Sequence, residues 1–385
     1  MPRFARMLQT CYQARGHEVQ LWVPRARCFN WVRSGRFAKW GGYVDEYVLF
    51  PRWVRGALRA VPADTLFVFC DQALGPWVPL VKDRPHVVHV HDMLALRSAL
   101  GLVPQNRTSF SGRILQRYIR RGYRQARHFI SVSNNTRDEL HRFGGVRPST
   151  SEVVYNGLNF PFAPLSETAA RAVLDTAGMA LPAGGMLLNV GGGQWYKNTE
   201  GVIALYARYV SRVSAPSPLW CVGPPPNASI RAAISRIPLP GKVVYFSNLE
   251  SSTLQALYST ARALLFPSLA EGFGWPIVEA LACGCPVLTT DAPPMNEVGG
   301  EAADYLPPLT DDLEGWATTG AERLIGMLSR TPQERAARAQ QGIAWSARFA
   351  MDKAIDSYLA AYRTALEATS KGSMPQRGLN RGAQA

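Results

Sequence analysis

PSLAEGFGWPIVEALACGCPVLTTD, residues 267–291, is the stretch on which the fold reading turns. Two carboxylates, Glu271 and Glu279, stand with seven residues between them, and Gly272-Phe273-Gly274 and Pro276 lie in that interval. Glycine lets the backbone take positive φ and approach a ligand closely. Proline suits the first turn of a helix. The segment therefore predicts a strand, a tight loop and a helix whose N-terminus points into a cleft, where free N–H groups and the helix dipole favour a phosphate. A carboxylate in such a loop can reach sugar hydroxyls, and one a turn into the helix can accept from a ribose diol.

Working outward, NVGGGQWYKNTEGVI (189–203) is a second strand that enters a glycine run and then a helix. A glycine run alone is a weak signal, because many α/β turns share it. Lys197, placed just ahead of the helix, strengthens it, since its charge can offset that of a departing diphosphate. A third strand, PHVVHVH (85–91), ends at His91-Asp92, where strand C-termini meet a cleft in open α/β sheets. His91 is the candidate there, with His89 the alternative on the same strand face and His86 outside the site.

Along the whole chain, short apolar runs alternate with helical stripes, the signature of stacked strand–helix units. GHEVQLWVP (16–24), DTLFVFC, PHVVHVH, RHFISVS and SEVVYN are the predicted strands of the first half. GMLLNVGGG, PLWCVG, GKVVYF, ARALLFPS and CPVLTT are those of the second. Two such series predict two doubly wound α/β domains facing a cleft. The boundaries expected are 1–165 for the first domain and 166–345 for the second. Residues 346–368 should form a helix returning toward the first domain, and 369–385 a disordered, polar tail.

These strings resemble the retaining glycosyltransferases of family 4, which have the GT-B fold of two Rossmann-like domains. Glu271 and Glu279 match that family's Glu-x7-Glu signature. The likeness implies that Glu271 faces a donor sugar, that Gly272, Phe273 and Gly274 present backbone amides beside Pro276, and that Glu279 binds a ribose. The turn at Gly192, Gly193 and Lys197 resembles the family's donor-phosphate turn, although an arginine many members carry near Gly192 is absent. FISVSNNTRDEL (129–140) resembles the family's strand–Ser–helix element, with Ser133 as helix cap, and VVYNGLNF (153–160) resembles the strand leading into the interdomain linker. VVYFSNLESSTLQALYSTARALLFPS (243–268) resembles the element whose backbone near Asn248 and Leu249 meets the nucleobase. Members usually open with a strand and a Gly-Gly loop ahead of the first helix. Here the helix-closing turn Arg15-Gly16-His17 comes almost at once, so the first strand is missing from this sequence, and an upstream start or a shortened form is expected.

Composition narrows the partners. At 385 residues, with 47% apolar and 18% charged residues, the chain suits two globular domains. It has no run long enough to span a bilayer and no signal-peptide pattern at its N-terminus. Six scattered cysteines without a CxxC pair read as reduced thiols, which predicts a cytoplasmic protein. The formal charge of +14 lies wholly in residues 1–160, which hold 24 Lys and Arg against 10 Asp and Glu, whereas the remainder balances at 18 against 18. Within SGRILQRYIRRGYRQAR (111–127), arginines 113, 117, 120, 121, 124 and 127 form one helical stripe flanked by Ile114, Leu115, Tyr118 and Ile119. Such a face suits an anionic membrane surface, contacted peripherally from the inside, or a lipid-linked acceptor. A solvated face with its apolar side in the core is the alternative. No basic platform interleaved with aromatics appears, so nucleic acid is not expected.

The expectation is thus a retaining hexosyltransferase that uses a nucleoside diphosphate sugar as donor and a glycan or lipid-linked hydroxyl as acceptor. Glu271, Lys197 and His91 are the expected catalytic group, with no further cofactor and no metal, there being no DxD triplet. A shortened, non-catalytic nucleotide-sugar binder and a GT-B sugar-nucleotide epimerase are the alternatives.

Overall fold

Runs such as Val87-Val88 and Met186-Leu187-Leu188 are apolar at consecutive positions, as strands of a parallel sheet covered by helices on both faces must be. The computed structural model describes residues 2–31 and 38–372 and contains two such sheets. The first sets β1 (Phe67–Phe69), β2 (His86–Val90), β3 (His128–Ser131) and β4 (Thr150–Val153) side by side in that order, all parallel. The second comprises β5 (Met186–Val190), β6 (Leu219–Val222), β7 (Val243–Phe246), β8 (Ala261–Phe266), β9 (Val287–Thr290) and β10 (Asp304–Leu306). Its order is β10-β9-β8-β5-β6-β7, again all parallel.

Successive side chains of a strand point to opposite faces, and both faces here are core. Leu188, Leu264 and Val287 pack into one layer of the second domain, and their neighbours Leu187, Leu265 and Leu288 into the other. Full burial of each such side chain contributes about 1.5–3 kcal/mol. The order of strands matters more for function. The chain leaves β5 outward through β6 and β7, then returns to place β8 against the other edge of β5. The loops leaving the C-terminal ends of β5 and β8 therefore diverge, and a crevice opens between them.

In the first sheet, Val88, Val90 and Phe129 face Val78, Ile119 and Tyr123, on the segments Gln72–Leu80 and Phe110–Tyr123. The opposite face, with Val87 and Ile130, is covered by the helix Pro2–Ala14 and by the last helix, Met351–Gly372. The chain crosses back at Ala347–Phe349, a 3-10 turn after the helix Pro332–Ser346, so the single helix expected after residue 345 is interrupted there. Phe349 fills the crossing point, packing on Phe273 and Tyr155, and its carbonyl accepts from Leu158 N–H at 2.9 Å.

Two further expectations need correction, and one strand was not foreseen. Residues 16–24 form no strand. A strand needs a neighbouring backbone, and among the described residues β1 pairs only with β2. Side chains hold this segment instead, Trp22 packing edge-on against Trp53 and Phe67, while Val23 stays 65% exposed. β10 was not among the predicted strands, because Asp304-Tyr305-Leu306 opens on a charged residue and shows no apolar run such as the Phe67-Val68-Phe69 of β1. Residues 369–372 continue the last helix rather than starting a disordered tail, and 373–385 lie outside the described residues.

One polar knot ties the last helix to the first sheet. Tyr362 Oη lies 2.6 Å from His89 Nε2 and accepts from Tyr12 Oη at 3.1 Å, and all three side chains are buried. Removing one partner leaves buried polar groups without water or protein to satisfy them. Tyr362→Phe should lower the unfolding free energy by about 1–3 kcal/mol in urea denaturation followed by circular dichroism; an unchanged midpoint would show that the knot does not hold the helix.

Candidate active site

The loop after β5 is shaped by three successive glycines, Gly191, Gly192 and Gly193, with φ of 126°, 133° and 79°. Side-chain-bearing residues rarely take such values. Space is short as well: a Cβ on Gly191 would lie 3.2 Å from Cδ of Lys197, whose side chain runs across it. The loop then makes a 3-10 turn, Trp195–Lys197, and Asn198, itself left-handed at φ 51°, caps the helix Thr199–Val210 by accepting from Gly201 N–H. Asn198 also donates from Nδ2 to the Pro267 carbonyl at 3.0 Å, and Leu269 N–H donates to the Tyr196 carbonyl at 2.7 Å. Both bonds stitch the β5 loop to the β8 loop across the mouth of the crevice.

Between those stitches lies the central contact. Lys197 Nζ donates to Glu271 Oε1 at 2.7 Å, and Ser268 Oγ donates to the same oxygen at 2.8 Å. Both charged side chains are largely buried. Burial pushes the Glu271 carboxyl above its ordinary range, and the Lys197 charge opposes that shift. Glu279, in the helix Trp275–Ala282, is pushed up to about 7, chiefly by burial, with the Tyr258 hydroxyl and the Lys197 charge pulling the other way. Tyr258 Oη donates to Glu279 Oε2 at 2.9 Å. The ammonium thus lies within the field of both signature carboxylates.

Gly272 explains why the first domain belongs to the site. A Cβ there would fall 1.8 Å from the His91 carbonyl oxygen, so only glycine permits the approach. Its own carbonyl accepts from Ser133 Oγ at 2.8 Å and Thr136 Oγ1 at 3.1 Å. Ser133 caps its helix as the sequence suggested, taking Thr136 N–H at 3.0 Å, and at the same time grips the opposite domain. Glu297 closes the same seam from the other side, accepting from Asn134 N–H at 2.6 Å and Nδ2 at 2.7 Å. Phe273 turns inward against Phe349 and Tyr155, and Gly274, at φ 102°, starts the helix that carries Pro276 in its first turn. The first N–H groups of such a helix have no intrahelical partner, and no side chain caps this one.

The structure brings Lys197, Glu271, Glu279 and the glycine turns together but treats His91 differently. Its ring Nε2 lies 2.9 Å from the Cys70 carbonyl oxygen, and Phe4 packs edge-on at 4.7 Å. The imidazole is held by the first domain, and burial lowers its pKa to about 4, so it is neutral. What His91 offers the seam is its backbone carbonyl. His89 is fully buried under Tyr358 and Tyr362, and His86 bonds to the Arg84 carbonyl, so neither reaches the crevice. Asn248, left-handed at φ 56°, and Leu249 follow β7 on the far side of the β5 loop. Sequence reasoning missed Tyr258, Ser268, Glu297 and Asp92, whose charge acts on Glu271 and Tyr196. Tyr258 and Ser268 lie within strings that the sequence marks and Asp92 adjoins His91; Glu297 alone has no local signal at all. Among the described residues no cluster of three or more His, Cys, Asp or Glu side chains is placed to hold a metal ion.

Comparison with known proteins bears on the family and the fold. Residues 1–160 match the family described as Glycosyltransferase Family 4, and residues 184–306 match Glycosyl transferases group 1. The chain is 26% identical over 226 residues to the O-antigen chain mannosyltransferase RfbU of Salmonella typhimurium, covering 58% of this chain and 59% of that protein. It is 28% identical over 304 residues to the D-inositol 3-phosphate glycosyltransferase of Segniliparus rotundus, covering 74% of this chain and 63% of that one. The chain therefore spans about six-tenths of the length of these relatives. Among solved structures, sucrose-phosphate synthase from Thermosynechococcus elongatus superposes with a TM-score of 0.64 at 20% identity, over 83% of this chain and 78% of that one. Anabaena HepE, in complex with UDP and glucose, superposes with a TM-score of 0.62 at 18% identity, over 95% and 89%. The matches of both halves of the sequence and the two parallel α/β sheets together place this chain in the group 1 glycosyltransferases of the GT-B fold.

Proposed function

We propose that the crevice transfers a hexosyl group from a nucleoside diphosphate sugar to a hydroxyl of a glycan or lipid-linked acceptor, with retention at the anomeric carbon and without a metal. The observation that carries this reading is the buried Lys197 ammonium at the strand-order switch, bonded to Glu271 and influencing Glu279. A buried pair of charges is costly to maintain unless each member is satisfied. An arriving diphosphate would satisfy Lys197 equally well and free Glu271 to accept from sugar hydroxyls. The names of the relatives support the substrate class: RfbU is a mannosyltransferase of O-antigen chains, the Segniliparus enzyme acts on an inositol phosphate, and HepE holds UDP and glucose.

In the reaction, the bond from the anomeric carbon to the diphosphate oxygen breaks while the acceptor oxygen bonds to the same face. The acceptor's proton passes to the departing phosphate oxygen. Lys197, the amides of Gly192 and Gly193 and the N-terminus of the helix Trp275–Ala282 would offset the charge that collects on the diphosphate. Glu279 would take the ribose diol, and the backbone at Asn248 and Leu249 the base. Amides of Gly272, Phe273 and Gly274 would line the sugar's side of the pocket. With its ring on the Cys70 carbonyl, His91 would act through the position of its backbone, leaving Glu271 to orient the sugar. The free thiols accord with a reducing, cytoplasmic setting.

Release of nucleoside diphosphate from a panel of UDP-, GDP- and ADP-sugars tests the assignment. Lys197→Ala and Glu271→Ala should each slow turnover about 100-fold or more with the preferred donor, and near-normal rates would contradict these roles. The carboxylate, not the acid, accepts two hydroxyls from a ribose. With Glu279 titrating at about 7, donor affinity measured by calorimetry should rise as pH increases from 6 through 8, and Glu279→Gln should remove that dependence. A dependence that persists in Glu279→Gln would place the titrating group elsewhere.

A further inference from the structure

We propose that the outer face of the first domain docks on an anionic lipid bilayer, and that a groove in this face receives a headgroup phosphate. The helical segment Ala38–Val44, Asp45–Leu49 and Phe50–Ala57 places Trp40, Val44, Val48, Arg52 and Arg55 three or four residues apart, hence on one side, and all five are exposed. The helix Phe110–Tyr123 lies beside it and presents Phe110, Ile114 and Tyr118 next to Arg113, Arg117 and Arg121, also all exposed. Tyr47 and Tyr118 join the two helices edge to face, with ring centroids 5.6 Å apart. Between the helices runs a groove of about 470 Å³, with Tyr47 and Tyr118 on its walls and Arg52, Arg55, Arg121 and Gln125 around it.

Two features of this face point to a bilayer. The first is unspent charge. None of these five arginines takes part in any of the ion pairs of the described residues, and Arg52 makes only a long 3.4 Å bond to the Val48 carbonyl one turn back in its own helical segment. By contrast, Arg120 and Arg124 of the same helix are occupied, donating to the carbonyls of Gly144 and Gly145, so the stripe seen in the sequence divides into a structural and a free part. The second is exposed apolar surface interleaved with that charge: Phe110 is 73% and Trp40 66% exposed. A bilayer interface satisfies both, taking rings and aliphatic side chains into the headgroup–acyl boundary and guanidinium groups onto phosphates. A nucleic acid would engage the arginines but leave Phe110, Ile114, Trp40 and Val44 in water.

The face is also within reach of the crevice. The 3-10 segment Gln72–Leu80 begins beside it, where Gln72 Nε2 donates to the Asp92 carbonyl at 2.6 Å, and its Pro76 and Pro79 border the groove. At about 2 Å per residue, that segment sets the groove roughly 8–14 Å from the crevice. A lipid held there would stand near the site of transfer, although the docking itself does not depend on the transfer reading.

Sedimentation of the full chain with phosphatidylcholine vesicles, with and without phosphatidylglycerol, tests the proposal. Wild type should pellet only with the anionic vesicles. The triple variant R52Q/R55Q/R121Q should lower the partition coefficient about 100-fold at low salt, and F110S/I114S should lower it without changing the net charge. Thermal stabilisation by the preferred donor should be retained in both variants, which separates a failed surface from a failed fold or a failed donor site. Absence of wild-type binding, equal sedimentation of wild type and variants, or tighter retention of a single-stranded oligonucleotide than of vesicles would each overturn it.

Discussion

Lys197 and Glu271 place opposite, largely buried charges 2.7 Å apart between the β5 and β8 loops, and much of the surrounding structure exists to keep them there. Neither charge can be left alone at that depth, because an unpaired buried ion costs several kcal/mol. The lysine reaches its partner only because Gly191 has no side chain to block its path, and because Asn198 and Tyr196 are tied to the backbone of the β8 loop. The carboxylate is held from below by Ser268. Upstream of these local devices stands the reversal of strand order, which sends the two loops apart and leaves the space in which the pair sits.

The same loop that carries Glu271 also joins the domains. Gly272 touches the first domain by backbone alone, with Ser133 and Thr136 bonded to its carbonyl and the His91 carbonyl against its α-carbon. Glu297 fastens the seam through Asn134. The loop that builds the site therefore also holds the two domains together in this conformation. Excluding water there strengthens every electrostatic contact that the lysine, the carboxylates and the helix N-terminus can make with a bound anion. The crossing turn Ala347–Phe349 supports the arrangement from behind, since Phe349 packs against Phe273 as the chain returns to the first sheet.

Much of this was legible in the sequence, for a physical reason: glycine, proline and carboxylates at fixed offsets declare a backbone shape and a charge pattern without help from distant residues. Glu271, Gly272, Gly274, Pro276 and Glu279 are of that kind, as are the glycines before Lys197. Most of the strand pattern was readable because parallel strands covered on both faces carry near-continuous apolar runs, as Val87-Val88 and Met186-Leu187-Leu188 do. What escaped depends on partners remote in the chain. Tyr258 meets Glu279 from 21 residues away, and Glu297 meets Asn134 from 163. The direction of the His91 ring is set by Phe4 and Cys70, neither of which its own strand reveals. Residues 16–24 have strand composition, but composition does not supply a neighbour to pair with.

The central claim is that a nucleoside diphosphate sugar binds at the Lys197 crevice. Thermal unfolding of the wild-type chain and of Lys197→Ala against UDP-, GDP- and ADP-sugars, with and without magnesium, tests it most directly, because a ligand that binds only the folded state raises the midpoint in proportion to its affinity. The account predicts a rise specific to one base, independent of magnesium, and lost in the variant. No response to any donor, or an equal rise in both proteins, would contradict it.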